Sequence, residues 1–251
     1  MDEYQVTARN LKKYQALESE VLQSCDRVIA TSPSMPSQLQ PFDTKKFLAI
    51  TNGFDKSDFK SFEDKSESNK LVVYHAGLMS ALRNPTNFWK ALDQLLAENL
   101  IDKDKFELNL AGVVESVVDD SINELEHLST NYSKEGYKKH EEVIKDYETA
   151  NVLLLFVNNT ANAAVNIPGK TFEYLATGKP ILCFSDLSTD VAKILNSFNH
   201  CLVVDYNLSV SELRKELLVF FSKRATSASH ELNQYSRSHL TSVLAKLLDN
   251  P

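Results

Sequence analysis

Apolar residues in this chain gather in short runs, and the stretches between the runs repeat apolar positions at helical spacing. The runs occupy 27–31, 46–50, 71–75, 106–111, 152–157, 180–184 and 201–204. Several are apolar without alternation, the pattern of strands buried on both faces of a parallel sheet. Between them, Asn84-Pro85 opens a helix whose Phe88, Leu92, Leu95 and Leu96 share one face. Further helices are predicted over 117–128, 141–148 and 168–176, over 209–223 with Ser209 and Ser211 as candidate caps, and over 230–248. Strands alternating with helices make βαβ units. The expected fold is therefore α/β, a doubly wound, mainly parallel, Rossmann-like sheet.

The first part of the chain does not follow this rhythm. A long charged amphipathic helix over 4–22 leads to a strand, a Ser-Pro-Ser turn and a short helix. Residues 55–69 are then rich in Lys, Ser, Asp and Glu, as expected of a linker. The predicted organisation is a remnant of another domain over 1–54, a linker over 55–69 and a self-contained domain over 70–251.

Composition narrows the function classes. The chain has 251 residues, 43% hydrophobic and 24% charged, and a net charge of -7. These proportions suit a folded domain and exclude a disordered or collagen-like one. A net acidic surface also argues against nucleic acid as a partner. No apolar run is long enough to span a bilayer, and residues 1–7 do not resemble a secretion signal. Cys25, Cys183 and Cys201 are odd in number and scattered, which points to reduced thiols and a cytoplasmic location. The six histidines show no ligand spacing and no Cys-x-x-Cys occurs, so no metal is expected. Asp119-Asp120, Asp186 and Asp190 stand at predicted helix starts and read as dipole-favoured caps.

Glycine is scarce. The chain has 6, where about 17 would be usual for its length. Gly53, Gly77 and Gly112 follow predicted strands, at the edge where open α/β sheets bind ligands. After Leu71-Val-Val-Tyr-His-Ala-Gly-Leu come a short loop, Arg83 and a helix start, which together could form an anion site. In Asn166-Ile-Pro-Gly-Lys-Thr-Phe-Glu-Tyr-Leu-Ala-Thr-Gly-Lys-Pro, Gly169 precedes a helix with Lys170 in its first turn and Glu173 on the same face. A lysine at a positive helix end is disfavoured unless an anion accompanies it; a diphosphate would suit, with Glu173 free for a sugar diol.

The 166–182 segment resembles the nucleotide-sugar signature of GT-B-fold glycosyltransferases of the retaining, family-four type, in the variant of cell-surface polysaccharide enzymes. Cys25-Asp-Arg-Val-Ile-Ala-Thr-Ser, Ile50-Thr-Asn-Gly-Phe-Asp, Tyr74-His-Ala-Gly-Leu and Gly136-Tyr-Lys-Lys-His extend the likeness over nearly the whole chain. The resemblance implies the C-terminal half of a GT-B fold. It assigns the nucleotide ribose to Glu173 and the diphosphate to Lys170 and Arg83, which would also stabilise the leaving group. Gly77, Leu78, Gly169 and Thr171 would bring backbone and helix start to the phosphates, and Tyr137 or His140 would pack on the base. It implies a nucleotide-diphosphate-sugar donor and no metal cofactor.

Two departures from the family pattern affect the donor sugar: Val165 stands where many relatives carry a second glutamate, and Leu78 where an arginine often follows the glycine. The acceptor site, and often a catalytic histidine, belong to the N-terminal domain of such enzymes, so the catalytic group is unknown and the chain alone is expected to be inactive. A glycan or lipid-linked acceptor would bind through that domain, with peripheral membrane association of the parent and a dimer through the bare surface as further expectations. The acidic residues of the first helix argue against its own attraction to an anionic bilayer. Two alternatives stand beside this reading: a non-catalytic nucleotide-sugar-binding subunit of a split enzyme, and a GT-B-fold nucleotide-sugar epimerase.

Overall fold

In the computed structural model, which describes residues 8–223 and 232–249, six parallel strands form one sheet. They are β3 (Leu71–Ala76), β4 (Phe106–Ala111), β5 (Tyr132–Gly136), β6 (Val152–Phe156), β7 (Ile181–Phe184) and β8 (Cys201–Val204), and they lie in the order β5-β4-β3-β6-β7-β8. The chain builds outward from β3 through β4 to β5, returns to the middle, and builds outward again from β6. The switch point thus falls between β3 and β6, and loops leaving the carboxyl ends there diverge to open a crevice. Two short parallel strands, β1 (Val28–Ala30) and β2 (Phe47–Ala49), form a separate sheet preceded by helix α1 (Ala8–Ser24).

Strand parity divides the apolar runs between two cores. Val73, Leu108, Leu110, Leu154, Phe156 and Leu182 enter one, beneath α2 (Thr86–Ala97) and α7 (Val210–Lys223). Tyr74, Leu153, Leu155, Ile181 and Cys183 enter the other, beneath α4 (His140–Thr149), α5 (Lys170–Thr177) and α6 (Asp190–Leu195). Each fully buried Leu or Phe contributes roughly 1.5–3 kcal/mol. Runs without alternation arise because both faces are covered.

Several expectations are corrected. Strand β5 lies at the sheet edge and reads Tyr-Ser-Lys-Glu-Gly, too polar for an apolar-run pattern to detect. Helix α3 (Ser116–Asn123) starts one residue early and stops well short of 128. Its N-cap position is Glu115; Asp119 instead accepts hydrogen bonds from Tyr132 Oη (3.0 Å) and Lys134 Nζ (3.0 Å) of β5. Thr189, not Asp186 or Asp190, caps α6, its hydroxyl accepting from the Ala192 amide at 3.2 Å. Ser209 alone caps α7, in a reciprocal box with Glu212. The last predicted helix divides into a 3-10 turn, Leu232–Tyr235, and α8 (Arg237–Asp249). Tyr4 and His230, where two helices were expected to begin, lie outside the described residues.

The polar 55–69 stretch is pinned down rather than free. Lys179, only 1% exposed, donates to Asp64 Oδ1 (2.7 Å) and to the carbonyls of Glu148 (2.8 Å) and Ala150 (2.6 Å). Lys65 pairs with Glu148 at 2.7 Å, and the Glu63 amide donates to the same carboxylate. The three cysteines are free thiols, and burial pushes Cys183 and Cys201 up, so both stay protonated. No helix among the described residues is long and apolar enough to cross a membrane.

Candidate functional site

The carboxyl ends of β3 and β4 are locked together through backbone. The Gly77 amide donates to the Ala111 carbonyl at 2.8 Å, and Met79 to Val113 at 2.8 Å. Gly112 adopts φ +106, and a Cβ there would lie 2.4 Å from the Gly77 carbonyl oxygen. Only glycine fits this approach. The two strand ends form the floor of a cleft of about 250 Å³.

Helix α5 supplies one wall. Its first residue, Lys170, and Glu173 one turn later both face the cleft, and among the described residues no ion pair joins them. The surface Lys–Glu pair that would explain them without a ligand is absent. No side chain caps this helix start. The opposite wall is α4 with Val143 and Tyr147, and the rim is Tyr137, Lys138 and His140. Tyr137 is 87% exposed, and His140 Nε2 lies 3.1 Å from Asp58 Oδ2.

Of the residues singled out in the sequence, Gly77, Gly112, Tyr137, His140, Lys170 and Glu173 line this one cleft. The others do not. Arg83 donates from Nε to Asn158 Oδ1 (2.6 Å) and from a terminal nitrogen to the Leu78 carbonyl (3.1 Å), tying the loop after β3 to the loop after β6. Three of its five N–H donors remain for other partners. Leu78 is an exposed loop residue. Thr171 is fully buried, with its hydroxyl unpartnered. A Cβ at Gly169 would meet open space, so nothing steric requires glycine there.

Four contributors were not singled out. Lys138, on the rim, pairs with Asp146 at 2.7 Å, and Asp146 also accepts from the Tyr74 hydroxyl at 2.7 Å. On the same face, the Tyr174 hydroxyl accepts from the Ala76 amide at 3.4 Å, its ring packed 5.2 Å from that of Tyr147. The fourth is His75, buried beneath Gly77. A histidine inside an otherwise apolar run, two residues before a glycine, was the available signal. A larger cavity of about 600 Å³ lies between α4 and the linker, lined by Phe62, Lys65, Ile144 and Glu148. It has no glycine-opened backbone and lies away from the sheet's switch point. Among the described residues no cluster of His, Cys, Asp and Glu is arranged to hold a metal ion.

No protein-family model and no curated protein sequence matches this chain. Solved structures do. A glycosyltransferase from Rickettsia africae ESF-5 superposes with a TM-score of 0.72 at 15% identity, over 96% of this chain and 68% of that one. Sucrose-phosphate synthase from Thermosynechococcus elongatus gives 0.67 at 14% identity, over 98% and 64%. WaaG, a glycosyltransferase involved in lipopolysaccharide biosynthesis, gives 0.67 at 13% identity, over 99% and 70%. The fold is that of GT-B glycosyltransferases. With a GT-B fold, the six-stranded sheet is the Rossmann-like unit the strand pattern predicts, and the chain spans roughly two thirds of the length of these structures.

Proposed function

We propose that the chain is the donor-binding part of a retaining glycosyltransferase of family-four type, acting in cell-surface polysaccharide or glycoconjugate synthesis with a nucleotide-diphosphate-sugar donor. The observation that carries this reading is the presence of Lys170 and Glu173 in one cleft at the carboxyl ends of β3 and β4, beside the switch point, without an ion pair between them. A cation and a carboxylate on adjacent turns suit a ligand that presents an anion and a diol side by side. Lys170, with the uncapped start of α5, takes the diphosphate, and Glu173 accepts from the ribose hydroxyls. Arg83 reaches the phosphates with its free N–H groups, and Tyr137 and His140 pack on the base.

As the glycosidic bond breaks, negative charge grows on the departing nucleoside diphosphate. Arg83 is held by Asn158 and the Leu78 carbonyl before that charge develops, so it assists the departure without reorganising, and Lys170 adds a second positive charge. No metal is required by this arrangement. The sugar acceptor, a glycan or a lipid-linked glycan, is met by a domain outside this chain, in a cytoplasmic parent enzyme that works at the membrane surface. A partner-subunit role is a second reading. Leu11, Tyr14, Leu17 and Val21 form an exposed apolar stripe on α1, and such a stripe suits burial against another protein surface or a second copy.

The test is calorimetric titration with UDP, GDP and ADP in metal-free buffer. One nucleotide is expected to bind in the micromolar range. Lys170→Ala and Glu173→Ala should each weaken it about 10- to 100-fold, the range of a charge-assisted hydrogen bond. Equal affinity in both variants would remove the assignment.

A further inference from the structure

We propose that His75 is a phosphate-binding residue of this cleft, one that engages the ligand through Nε2 as an imidazolium and takes up a proton when the ligand arrives. The inference rests on the donor-site reading above and adds a group that neither the sequence motifs nor the fold assigns.

The tautomer follows from one contact. His75 Nδ1 lies 2.8 Å from the Leu154 carbonyl oxygen. A carbonyl can only accept, so Nδ1 carries the hydrogen. In the neutral ring the lone pair is therefore on Nε2. That atom is fully buried and has no partner among the described residues. A buried polar atom left without a partner costs about 1–3 kcal/mol, so it calls for an explanation beyond packing.

The direction of Nε2 supplies one. A Cβ on Gly77 would lie 3.1 Å from His75 Nε2 and 3.7 Å from Lys170 Cε. The space that glycine leaves open is thus bounded by the imidazole on one side and the end of the Lys170 side chain on the other. A ligand atom that packs against Gly77 is therefore directed at the Nε2 edge of the ring and at the Lys170 ammonium. An atom so placed is an anionic oxygen, and a bare lone pair would repel it.

The surroundings of the ring hold it neutral. Burial is the main cause, with the Lys170 and Arg83 cations adding to it against the Leu154 carbonyl, and together they bring His75 down to about 4. The groups that face the ring are these two cations, the Leu154 carbonyl and the Phe156 ring, packed edge-on at 5.0 Å. Among the described residues no carboxylate faces it. The first anion to reach the ring is therefore the ligand's own. A phosphate oxygen at Nε2 favours the charged ring and raises its pKa. A proton from solvent adds to Nε2 and the new N–H donates to the oxygen; no bond in the ligand breaks.

The sign of the pH dependence follows. Because the bound pKa lies above the free value, affinity is greatest at acid pH and falls as pH rises through the bound pKa, by up to tenfold per pH unit.

The test uses the whole chain with UDP, GDP and ADP in turn. Calorimetry at pH 6 in buffers of different ionisation enthalpy counts protons taken up; His75→Gln, titrated alongside, subtracts protons taken by the nucleotide's terminal phosphate. The wild type should take up to one proton more than the variant and bind at least tenfold tighter at pH 6, the gap closing towards pH 8.5. Nitrogen NMR of the histidine rings needs no variant to fold: Nε2 of His75 should change from a bare ring nitrogen to an N–H on saturation. If a nucleotide binds while Nε2 stays bare and proton uptake matches the variant, the role of His75 is refuted and the donor site stands. If no nucleotide binds, the donor-site reading fails and this inference with it.

Discussion

Asp190 ties the N-terminal segment to the domain that carries the cleft, and its loss should loosen that attachment by a predictable amount. The residue is 2% exposed. Its carboxylate accepts from the hydroxyls of Ser32 and Ser34 (2.6 Å for the latter), from the Ser34 amide at 2.7 Å, and from Lys193 Nζ at 3.0 Å. Burial alone would raise its pKa, but these donors outweigh burial and bring it from 3.8 to about 2. A depressed carboxylate stabilises the folded form above its unfolded pKa and loses that contribution as pH falls through the folded value. The difference corresponds to roughly 2 kcal/mol at pH 7, shrinking to about 1 kcal/mol near pH 3 and to little at pH 2. Asp190→Asn keeps the shape and removes the charge. Hydrogen–deuterium exchange at the Ser34 amide reads the clasp directly. At pH 7 the variant should exchange about 30-fold faster than the wild type, the equivalent of 2 kcal/mol, and the ratio should decline between pH 4 and pH 2. A ratio near one at pH 7, or one that stays constant into acid, would refute the reasoning.

Gly112→Ala should destabilise the chain by about 3 kcal/mol or more, since the residue combines φ +106 with a Cβ 2.4 Å from the Gly77 carbonyl; urea unfolding followed by the fluorescence of Trp89, the single tryptophan, would measure it. Lys179→Met should cost about 2–4 kcal/mol in the same assay, because two backbone carbonyls lose their lysine donor along with Asp64. Adding Asp64→Asn to that variant should change little further, because the Asp64 side chain is nearly half exposed and regains water.

Much of the fold was legible because a doubly wound parallel sheet writes itself as apolar runs, and strands β3, β4, β6, β7 and β8 agree with those runs to within a residue at either end. What escaped was polar for local reasons. Strand β5 turns Ser133 and Lys134 to solvent at the sheet edge, so no periodicity marks it. The 55–69 stretch reads as a polar linker because the partners of its charges, Lys179 and Glu148, lie far along the chain. Asp119 and Asp190 stood near helix starts, as dipole arguments favour, yet their hydrogen bonds run to β5 and to the Ser32–Ser34 turn, contacts that only the tertiary fold creates. At the cleft, Lys170 and Glu173 could be found from helical spacing, and Gly77 from its place after a strand. His75 could not be found in that way, because a buried strand position reads as core until the unpartnered nitrogen and the open space beside it are seen together.

The scarcity of glycine provides the most direct test of where a nucleotide binds. With glycine alone carrying a nitrogen label, the chain gives six backbone amide signals, from Gly53, Gly77, Gly112, Gly136, Gly169 and Gly178. Titration with UDP, GDP and ADP should find one nucleotide that moves Gly77, Gly112 and Gly169, at the strand ends and the start of α5, while Gly53 and Gly178 stay in place. If a bound nucleotide leaves Gly77 and Gly112 unmoved, or moves Gly53 instead, the donor site is not in this cleft.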